Sequence, residues 1–392
     1  MKIGIASPIS SFYLQEFLDE RSANIASKLS NHDAPAVTNL VQTFLQFGHD
    51  VYIFTKDPEA SSFIRLRGEH LTINIVPSSR KGWRKLLNKF CVTDLFLIIK
   101  MYCSSQSFDV LSVHWTRDYA IGARKYFGKC PVTCTVRDIL PLISKMQPIR
   151  KIVRLQNEIT MRCSKYHFIA NSEYTQSMIN KYWGRKSIVI PNGISKEFIE
   201  YSPIKKNDTY TFASISTVID GRKNIEVLIK AFSSFRNKYP SSKMMLIGPC
   251  FVDSNDSIKR WKEMGLLDGV ELMGRKNRKE IKTLLSQCHC LVHPALEETF
   301  GNILIEAMAC KCLVIGGNVS GAVPFVLHHG ELGLLCDVTD EHSLESAMIS
   351  AHAGNFYQII EKAFKSAHNE YSPDAVAKKY IDYFETLIND RR

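Results

Sequence analysis

The sequence predicts an α/β protein of two Rossmann-like, doubly wound domains that face each other across a cleft. Three observations support this expectation. The chain has 392 residues, which suits two domains of roughly 100–200 residues each. Short apolar runs alternate with stretches of helical periodicity along most of the chain, as expected of strands joined by helices. The alternation pauses once, at a polar segment, and then restarts.

The first half of the chain opens as a strand–helix–strand unit. Residues 2–7 form an apolar run, residues 37–47 have apolar positions at helical spacing before Gly48, and residues 50–55 form a second run. Such a unit builds a parallel sheet with ligand sites at the carboxyl ends of its strands. The later predicted strands are 109–113, 131–136, 167–170 and 187–190, and helices are expected near 119–126, 148–163 and up to 182.

The polar segment 202–208 marks the expected domain boundary, after which the alternation of predicted strands and helices resumes. We expect an acceptor-binding domain at 1–201, a donor-binding domain at 202–371, and a terminal helix at 372–392 that packs back toward the first domain. Ser372 can cap that helix, with Pro373 at its first position. The strands predicted in the second half are 212–216, 243–247, 270–273, 290–293 and 312–315, with helices at 225–235, 279–286 and 301–309.

Composition and missing motifs exclude several classes of protein. The net charge of +11 favours phosphorylated or other anionic ligands without choosing among them. None of the eleven cysteines lies in a CxxC pair, which indicates buried thiols in a reducing compartment. The sequence contains neither a signal peptide nor a membrane span, so we expect a cytoplasmic protein. Motifs of dehydrogenases, P-loop NTPases, α/β-hydrolases and zinc proteases are absent, as is the DxD pair that holds a divalent metal.

The most informative segment is HPALEETFGNILIEAMA, residues 293–309. It follows a predicted strand, and residues 299–302 form a turn in which Gly301 permits close backbone approach. The helix that starts there can bind a phosphate at its N–H groups. Glu298 and Glu306 can accept hydrogen bonds from neighbouring hydroxyl groups. Glu306 stands among apolar residues, where a carboxylate needs a partner, so an incidental solvated glutamate is the weaker interpretation.

This segment resembles the E-x7-E motif of glycosyltransferase family 4, whose members have the glycosyltransferase-B (GT-B) fold. Three further segments resemble family motifs in the same order. Residues 190–194 read IPNGI, residues 222–224 read RKN, and the predicted strand near 247 ends at Gly248. The resemblance covers nearly the whole chain.

The resemblance implies a role for individual residues. Lys223, helped by Arg222, would pair with the diphosphate of a nucleotide-sugar donor. Glu298 would hold hydroxyl groups of the transferred sugar, and Glu306 those of the ribose. The other donor-side residues that it implies are Phe300, Gly301, Thr299, Asn302, Gly274 and Arg275.

The resemblance also implies a reaction. A sugar would pass with retention of configuration from a nucleoside-diphosphate sugar to a glycan or lipid-linked acceptor, as in bacterial surface polysaccharide assembly. Cations and a helix N-terminus would replace a metal, so neither metal nor cofactor is expected. A non-catalytic, sugar-nucleotide-binding or scaffolding relative is the alternative. Nucleic acid is not an expected partner, because no recognised nucleic-acid motif is present.

Several positions depart from the family pattern. Thr217 stands where an arginine is usual, and Phe325 where a glutamate is frequent. Arg137 and Asp138 stand where the family often has His-Asp. The two residues either suit an anionic acceptor or form a structural Arg–Asp pair, and we weigh these interpretations equally. His114, after a predicted strand, either contacts the acceptor or belongs to the core.

Residues 80–90 (RKGWRKLLNKF) combine five basic side chains with apolar and aromatic ones. This pattern is typical of an amphipathic helix at a membrane surface, which would reach a lipid-linked acceptor on the cytoplasmic face of the inner membrane. A basic solvated face over ordinary core packing explains it as well.

Overall fold

A computed structural model describes residues 1–29, 34–57, 60–77, 101, 107–139, 151–200 and 204–391. The chain forms two compact units, Met1–Gly193 with Pro373–Arg392, and Ile194–Ser372. The chain first passes from one unit to the other between Gly193 and Ile194, before the expected boundary at 201–202. The physical reason is that Ile194 and Phe198 pack in the apolar core of the second unit.

The first unit is built on a sheet of eight strands among the described residues. In chain order they are β1 (Lys2–Ala6), β2 (Asp50–Asp57), β3 (Ile64–Arg67), β4 (Leu71–Pro77), β5 (Val110–His114), β6 (Val132–Val136), β7 (His167–Ala170) and β8 (Ser187–Val189). Their order across the sheet is β3-β4-β2-β1-β5-β6-β7-β8. All neighbours are parallel except β3 and β4. The six strands predicted in this half are confirmed.

Two features of the first unit were missed by the sequence analysis. The antiparallel pair β3–β4 extends the sheet at its edge beside β2. The stretch before residue 29, where no helix was predicted, contains a 3₁₀ helix (Ser11–Phe17) and helix α1 (Glu20–Ala26). Helix α1 begins because the Asp19 side chain accepts a hydrogen bond from the Ser22 amide at 2.7 Å, as an N-cap should.

The other helices of the first unit cover its sheet. They are α2 (Pro35–Gln46), α3 (Asp118–Ala123), α4 (Lys151–Arg162) and α5 (Glu173–Trp183), with a 3₁₀ turn at Arg124–Tyr126. Helix α2 shows why the sequence folds this way. Val37, Leu40, Val41 and Phe44 recur at helical spacing and are all buried against the sheet.

The second unit contains a fully parallel sheet of six strands within residues 204–372. They are β9 (Thr211–Ile215), β10 (Lys243–Ile247), β11 (Val270–Gly274), β12 (Cys290–His293), β13 (Leu313–Gly317) and β14 (Leu334–Cys336). Their order is β11-β10-β9-β12-β13-β14. The order reverses between β9 and β12, and the crevice beside such a switch point is where doubly wound sheets bind ligands.

Helices cover both faces of this second sheet. They are α6 (Ile225–Lys238), α7 (Asp256–Glu263), α8 (Arg278–Gln287), α9 (Asn302–Ala309), α10 (Val323–Val326), α11 (Glu341–Ala353) and α12 (Tyr357–Glu370), with 3₁₀ turns at Lys196–Phe198 and His328–Gly330. The helices predicted at 225–235, 279–286 and 301–309 correspond to α6, α8 and α9. Helix α8 is fixed at its start by a reciprocal capping box between Asn277 and Glu280.

The terminal helix α13 (Pro373–Asn389) belongs to the first unit. Its Tyr380 and Phe384 rings lie 6.4 and 6.1 Å from the ring of Phe44 on α2. The Tyr380 hydroxyl also lies 3.1 Å from Thr135 Oγ1 on β6. The aromatic face of the helix thus completes the core of that unit.

Two expectations about composition can be compared with the described residues. No helix among them is long and apolar enough to cross a membrane. Seven of the nine cysteines described have buried thiols, as the apolar surroundings in the sequence predicted. The basic segment 80–90 lies outside the described residues, so its membrane role stays a prediction.

Candidate functional site

Two loops meet at the switch point of the second sheet. The loop after β9 carries Arg222 and Lys223, and the loop after β12 carries Glu298. Strands β12 and β9 are direct neighbours, and their carboxyl ends therefore bring together residues that are 75 positions apart in sequence.

Glu298 is surrounded by basic side chains. Lys223 Nζ lies 2.5 Å from Glu298 Oε1, and Arg222 Nη1 and His293 Nε2 each lie 3.4 Å from it. Burial acts to raise the pKa of Glu298, but His293 and Lys223 outweigh it and lower the pKa to about 2. The carboxylate is therefore ionised throughout the physiological range.

The loop that carries the two cations is held in place by its own polar residues. The Lys223 amide donates to Asp220 Oδ1 at 2.8 Å. Asn224 adopts a left-handed backbone conformation (φ 53°), which asparagine tolerates better than most residues. Its side-chain amide donates to the carbonyl groups of Pro294 and Val338 at 3.2 and 2.7 Å. Asn224 thereby ties this loop to the one that carries Glu298.

A glycine on the loop after β13 supports Glu298 from another side. The amide of Ala322 donates to the Glu298 carbonyl at 2.8 Å. Gly321 has φ +63°, and a Cβ atom there would lie 2.3 Å from that same carbonyl oxygen. Only glycine permits this approach, so Gly321 sets the position of the Glu298 backbone.

The turn after Glu298 leads directly into α9. Gly301 occupies the N-cap position with φ +84°, and Asn302 is the first helical residue. Phe300 is buried, with its ring 5.8 Å from that of Tyr371, while Thr299 keeps part of its surface exposed. A glycine cap followed by a helix presents backbone N–H groups to an anion.

Glu306 has surroundings of its own, apart from those of Glu298. It lies in α9, and burial raises its pKa to about 7, with Arg278 opposing the shift and Glu197 adding to it. Arg278 Nη1 lies 4.0 Å from Glu197 Oε1 and 3.4 Å from Ser195 Oγ. The neighbours of this carboxyl group do not offset the cost of burying its charge. Hydroxyl donors from a ligand can stabilise such a group.

The remaining donor-side residues lie on another strand of the same sheet. Gly274 ends β11 with φ +61°, and its carbonyl accepts from the Gly248 amide at 2.9 Å. Arg275, the next residue, is exposed. Strand β11 is separated from β12 by β10 and β9, so the structure places these two residues away from Glu298.

The acceptor-side candidates lie at the carboxyl ends of β5 and β6 in the first unit. Arg137 contacts His114, with Nη2 and Nδ1 3.3 Å apart, and donates to Asn192 Oδ1. Burial raises the pKa of Asp138, and the charge of Arg117 opposes that shift. Arg137 thus contacts His114, Asn192 and the ring of Trp115.

Five residues of the site had no role assigned from the sequence: His293, Asn224, Gly321, Arg278 and Glu197. Two of them stood in segments already noted, Asn224 in RKN and His293 at the start of residues 293–309. His293 could have been suspected from its place at the end of a strand, whereas the last three are linked to the site by tertiary contacts.

The arrangement can bind an anion beside hydroxyl groups. Lys223, Arg222 and the start of α9 provide positive charge and N–H donors, and two carboxyl groups provide acceptors. Among the described residues, no group of three or more His, Cys, Asp and Glu side chains is arranged to hold a metal ion.

Comparison with known families agrees with this arrangement. The profile of the family "Glycosyl transferases group 1" matches residues 196–366. The profile of "Glycosyltransferase Family 4" matches residues 36–198. The two matches follow one another with almost no gap or overlap.

Curated relatives are similar over part of their length. An uncharacterized glycosyltransferase, MJ1178 of Methanocaldococcus jannaschii, is 26% identical over 181 residues, which cover 46% of this chain and 48% of the relative. The phosphatidylinositol N-acetylglucosaminyltransferase gpi3 subunit of Schizosaccharomyces pombe is 28% identical over 141 residues, covering 36% and 30%. The matched part of the chain thus spans less than half the length of these relatives.

Solved structures share the fold across the whole chain. Sucrose-phosphate synthase from Thermosynechococcus elongatus superposes with a TM-score of 0.75 at 17% identity, covering 100% of both chains. Anabaena Alr3699/HepE, solved in complex with UDP, gives 0.69 at 16% identity, covering 99% of this chain and 100% of that one. The fold expectation is confirmed, and the chain belongs to the group 1, family 4 glycosyltransferases with the GT-B fold.

Proposed function

We propose that this protein is an enzyme that transfers a sugar from a nucleoside-diphosphate sugar to a glycan or lipid-linked acceptor. The observation that carries the proposal is the contact of Lys223 and Arg222 with Glu298 at the switch point of the second sheet. One relative supports the acceptor class, since its name describes N-acetylglucosamine transfer to phosphatidylinositol. Assembly of bacterial surface polysaccharide is the setting that we propose.

In this proposal the Glu298 carboxylate pairs with Lys223 and Arg222 until the donor binds and its diphosphate takes over these two cations. Lys223 and Glu298 keep only 15% and 14% of their side-chain surface exposed, so their ion pair is largely shielded from water. A diphosphate would attract Lys223 and Arg222 more strongly than one carboxylate does. Glu298 would then turn to hydroxyl groups of the donor sugar.

The same two cations would stabilise the leaving diphosphate. Negative charge grows on this group as the glycosidic bond breaks, and fixed donors in a shielded site lower the barrier for such a step. Phe300 and Gly301 would add backbone N–H groups at the start of α9. We propose that this set works without a metal ion and with retention of configuration, the departing phosphate helping to deprotonate the acceptor.

Glu306 would bind the ribose of the donor. Its raised pKa reflects burial that its present neighbours do not offset. Two ribose hydroxyl groups would donate to the ionised carboxylate and offset that cost. Gly274 and Arg275, at the end of β11, remain our candidates for contact with the nucleotide base.

A thermal-shift screen tests the donor site. UDP, GDP, ADP and CMP, with their common sugar conjugates, would be added to the parent, to Glu306→Ala, and to Glu263→Ala, which changes an exposed glutamate of α7. A ligand that binds only the folded protein raises its apparent stability. We expect one diphosphate family to stabilise the parent and Glu263→Ala but not Glu306→Ala. If no nucleotide stabilises the folded parent, the proposal is wrong.

A turnover assay separates the enzyme from the alternative, a catalytically degenerate sugar-nucleotide-binding or scaffolding relative. The substitutions at Thr217 and Phe325 motivate that alternative. The assay measures release of nucleoside diphosphate from the matching donor. Acceptor extracts and excess EDTA are present. Binding without turnover supports the degenerate relative, and turnover abolished by EDTA contradicts metal independence.

We also propose peripheral contact with the cytoplasmic face of the inner membrane through residues 80–90. The basic and apolar composition of this segment supports the idea. Lys85→Glu combined with Lys89→Glu should reduce flotation of the protein with anionic liposomes. Equal flotation of variant and parent would exclude this contact.

A further inference from the structure

His293 is a buried residue of the donor site that faces Glu298. It ends β12, the strand that leads into the Glu298 loop, and only 4% of its side-chain surface is exposed. Its Nε2 atom lies 3.4 Å from Glu298 Oε1. Lys223 Nζ and Arg222 Nη1 contact that same oxygen, at 2.5 and 3.4 Å. Three basic side chains therefore converge on one carboxylate oxygen.

One carboxylate oxygen cannot satisfy three donors. It has two lone pairs, and Lys223 and Arg222 both hydrogen-bond to it. His293 Nε2 is within reach, but among the described residues it has no hydrogen-bond partner. A buried polar atom in this state is costly and is uncommon in native structures. The cause here is that its acceptor is already occupied in the ligand-free site.

The three basic side chains differ in how far they can move. His293 extends from a strand whose backbone pairs with β13, and its short side chain is enclosed. Lys223 and Arg222 have long stems with many rotatable bonds, and they lie on a loop. If both turn to a bound diphosphate, the lone pairs of Glu298 Oε1 become available. His293 can then donate to this oxygen without leaving its place.

Glu298 needs such a partner once the two cations have turned away. Its side chain is only 14% exposed, and a shielded carboxylate that loses its partners is strongly destabilised. A hydrogen bond from an imidazole N–H would stabilise the charge on one oxygen. It would also fix the plane of the carboxylate, and with it the direction in which the other oxygen points.

We infer that His293 is a positioning residue that donates to Glu298 once the diphosphate has drawn Lys223 and Arg222 away, and so holds the carboxylate toward the hydroxyl groups of the transferred sugar. The inference rests on the proposed function, because it requires a donor diphosphate at the two cations. It gives His293 a role in sugar transfer and none in binding the diphosphate.

Two substitutions at His293 test this division of roles. His293→Leu removes the N–H donor, whereas His293→Gln keeps an amide N–H near the position of Nε2. Calorimetry with UDP, GDP and ADP should show that both variants bind the matching diphosphate as tightly as the parent. In the product assay kcat should fall about tenfold or more in His293→Leu, the cost of losing a hydrogen bond to a charged group. His293→Gln should restore most of it.

His342→Gln is the matched control, because it changes a histidine of the same unit whose side chain is 86% exposed. It should equal the parent in both measurements.

NMR of isotope-labelled histidine provides a readout that a purely structural role would not move. The His293 signal is the one missing from the spectrum of His293→Gln. Adding the matching diphosphate to the parent should move the Nε2–H proton signal downfield, since a new hydrogen bond to a carboxylate forms. Glu298→Ala, which removes the acceptor, should show no such movement.

Each outcome decides for or against the inference. A folded His293→Leu protein that keeps the parent kcat overturns it, as does one that loses diphosphate affinity. A His293→Gln protein as slow as His293→Leu also overturns it. If His293→Leu does not fold, or the parent binds the diphosphate without turnover, the NMR signal decides, and an unmoved signal rejects the inference. A folded parent that binds no diphosphate rejects the proposed function instead.

Discussion

Lys223 Nζ and Glu298 Oε1 lie 2.5 Å apart and join two loops that are 75 residues distant in sequence. The pair stands where the strand order of the second sheet reverses. Since Arg222 contacts the same carboxylate oxygen, the ligand-free site already pairs the charges that a diphosphate would meet.

Glu298→Gln should separate donor binding from sugar transfer. The amide keeps the shape of the side chain but leaves Lys223 and Arg222 without their anionic partner, so a nucleoside diphosphate should bind as tightly as in the parent or more tightly. Transfer should fall by about 100-fold or more, the typical effect of losing one transition-state contact. Calorimetry with the diphosphate and a product assay provide the two readouts.

Glu263→Gln, at the exposed end of α7, is the control. It should leave both readouts near those of the parent. Weaker diphosphate binding by Glu298→Gln would show that this carboxylate does not compete with the ligand.

Donor affinity should depend on pH through Glu306. Its pKa in the free protein is raised to about 7, so below pH 7 the group is protonated and must lose a proton before it can accept two ribose hydroxyl groups. Affinity should therefore fall by up to about tenfold per pH unit below 7 and level off above it. Calorimetry in two buffers with different ionisation enthalpies should detect proton release near pH 6.

Glu306→Gln provides the comparison for this pH dependence. The amide does not titrate, so its weaker donor affinity should be constant between pH 6 and 8 apart from titration of the ligand. An equal pH slope in parent and variant would assign the effect to another group.

The sequence predicted five of the six strands of the second sheet, all but β14, and the segment around Glu298, because these depend on local pattern. Residues 290–292 and 312–315 are continuous apolar runs, as buried parallel strands require. Gly301 adopts φ +84° in the turn before α9, a conformation that glycine reaches without steric cost. Such features are encoded within a few residues of the place where they act.

Other parts of the site depend on contacts between distant segments and left no local signal. Arg278 approaches Glu197 across 81 positions of sequence, and Gly321 supports a carbonyl 23 positions away. The edge strand β3 was missed for a related reason, since it has only four residues and only one of them is buried. Tertiary packing, not periodicity, determines each of these.

The buried carboxyl group of Glu306 should make the fold less stable as the pH rises. The folded pKa of about 7 lies above the unfolded value of about 4.3. The free energy of unfolding therefore includes the full contribution of Glu306 protonation below pH 4.3, and loses it as the pH rises to 7, a total of about 4 kcal/mol. Urea unfolding should show Glu306→Gln to be more stable than the parent at pH 8, with the difference shrinking toward pH 4.5. Glu263→Gln, at an exposed site, should track the parent at every pH.

Gly321→Ala should damage the donor site more than its backbone conformation alone explains. Gly321 and Gly265 have similar φ values, +63° and +70°, but only Gly321 faces backbone, with Glu298 oxygen 2.3 Å from the position of an added Cβ. Alanine at Gly265 meets open space, so it should cost only the left-handed conformational penalty of about 1–2 kcal/mol. Alanine at Gly321 adds a backbone clash that must displace Glu298 away from Lys223. Denaturant unfolding should therefore show a larger loss for Gly321→Ala than for Gly265→Ala. Nucleotide-induced thermal shifts should persist in Gly265→Ala and disappear in Gly321→Ala. Equal stability and equal nucleotide shifts in the two variants would mean that the loop after β13 yields without moving Glu298.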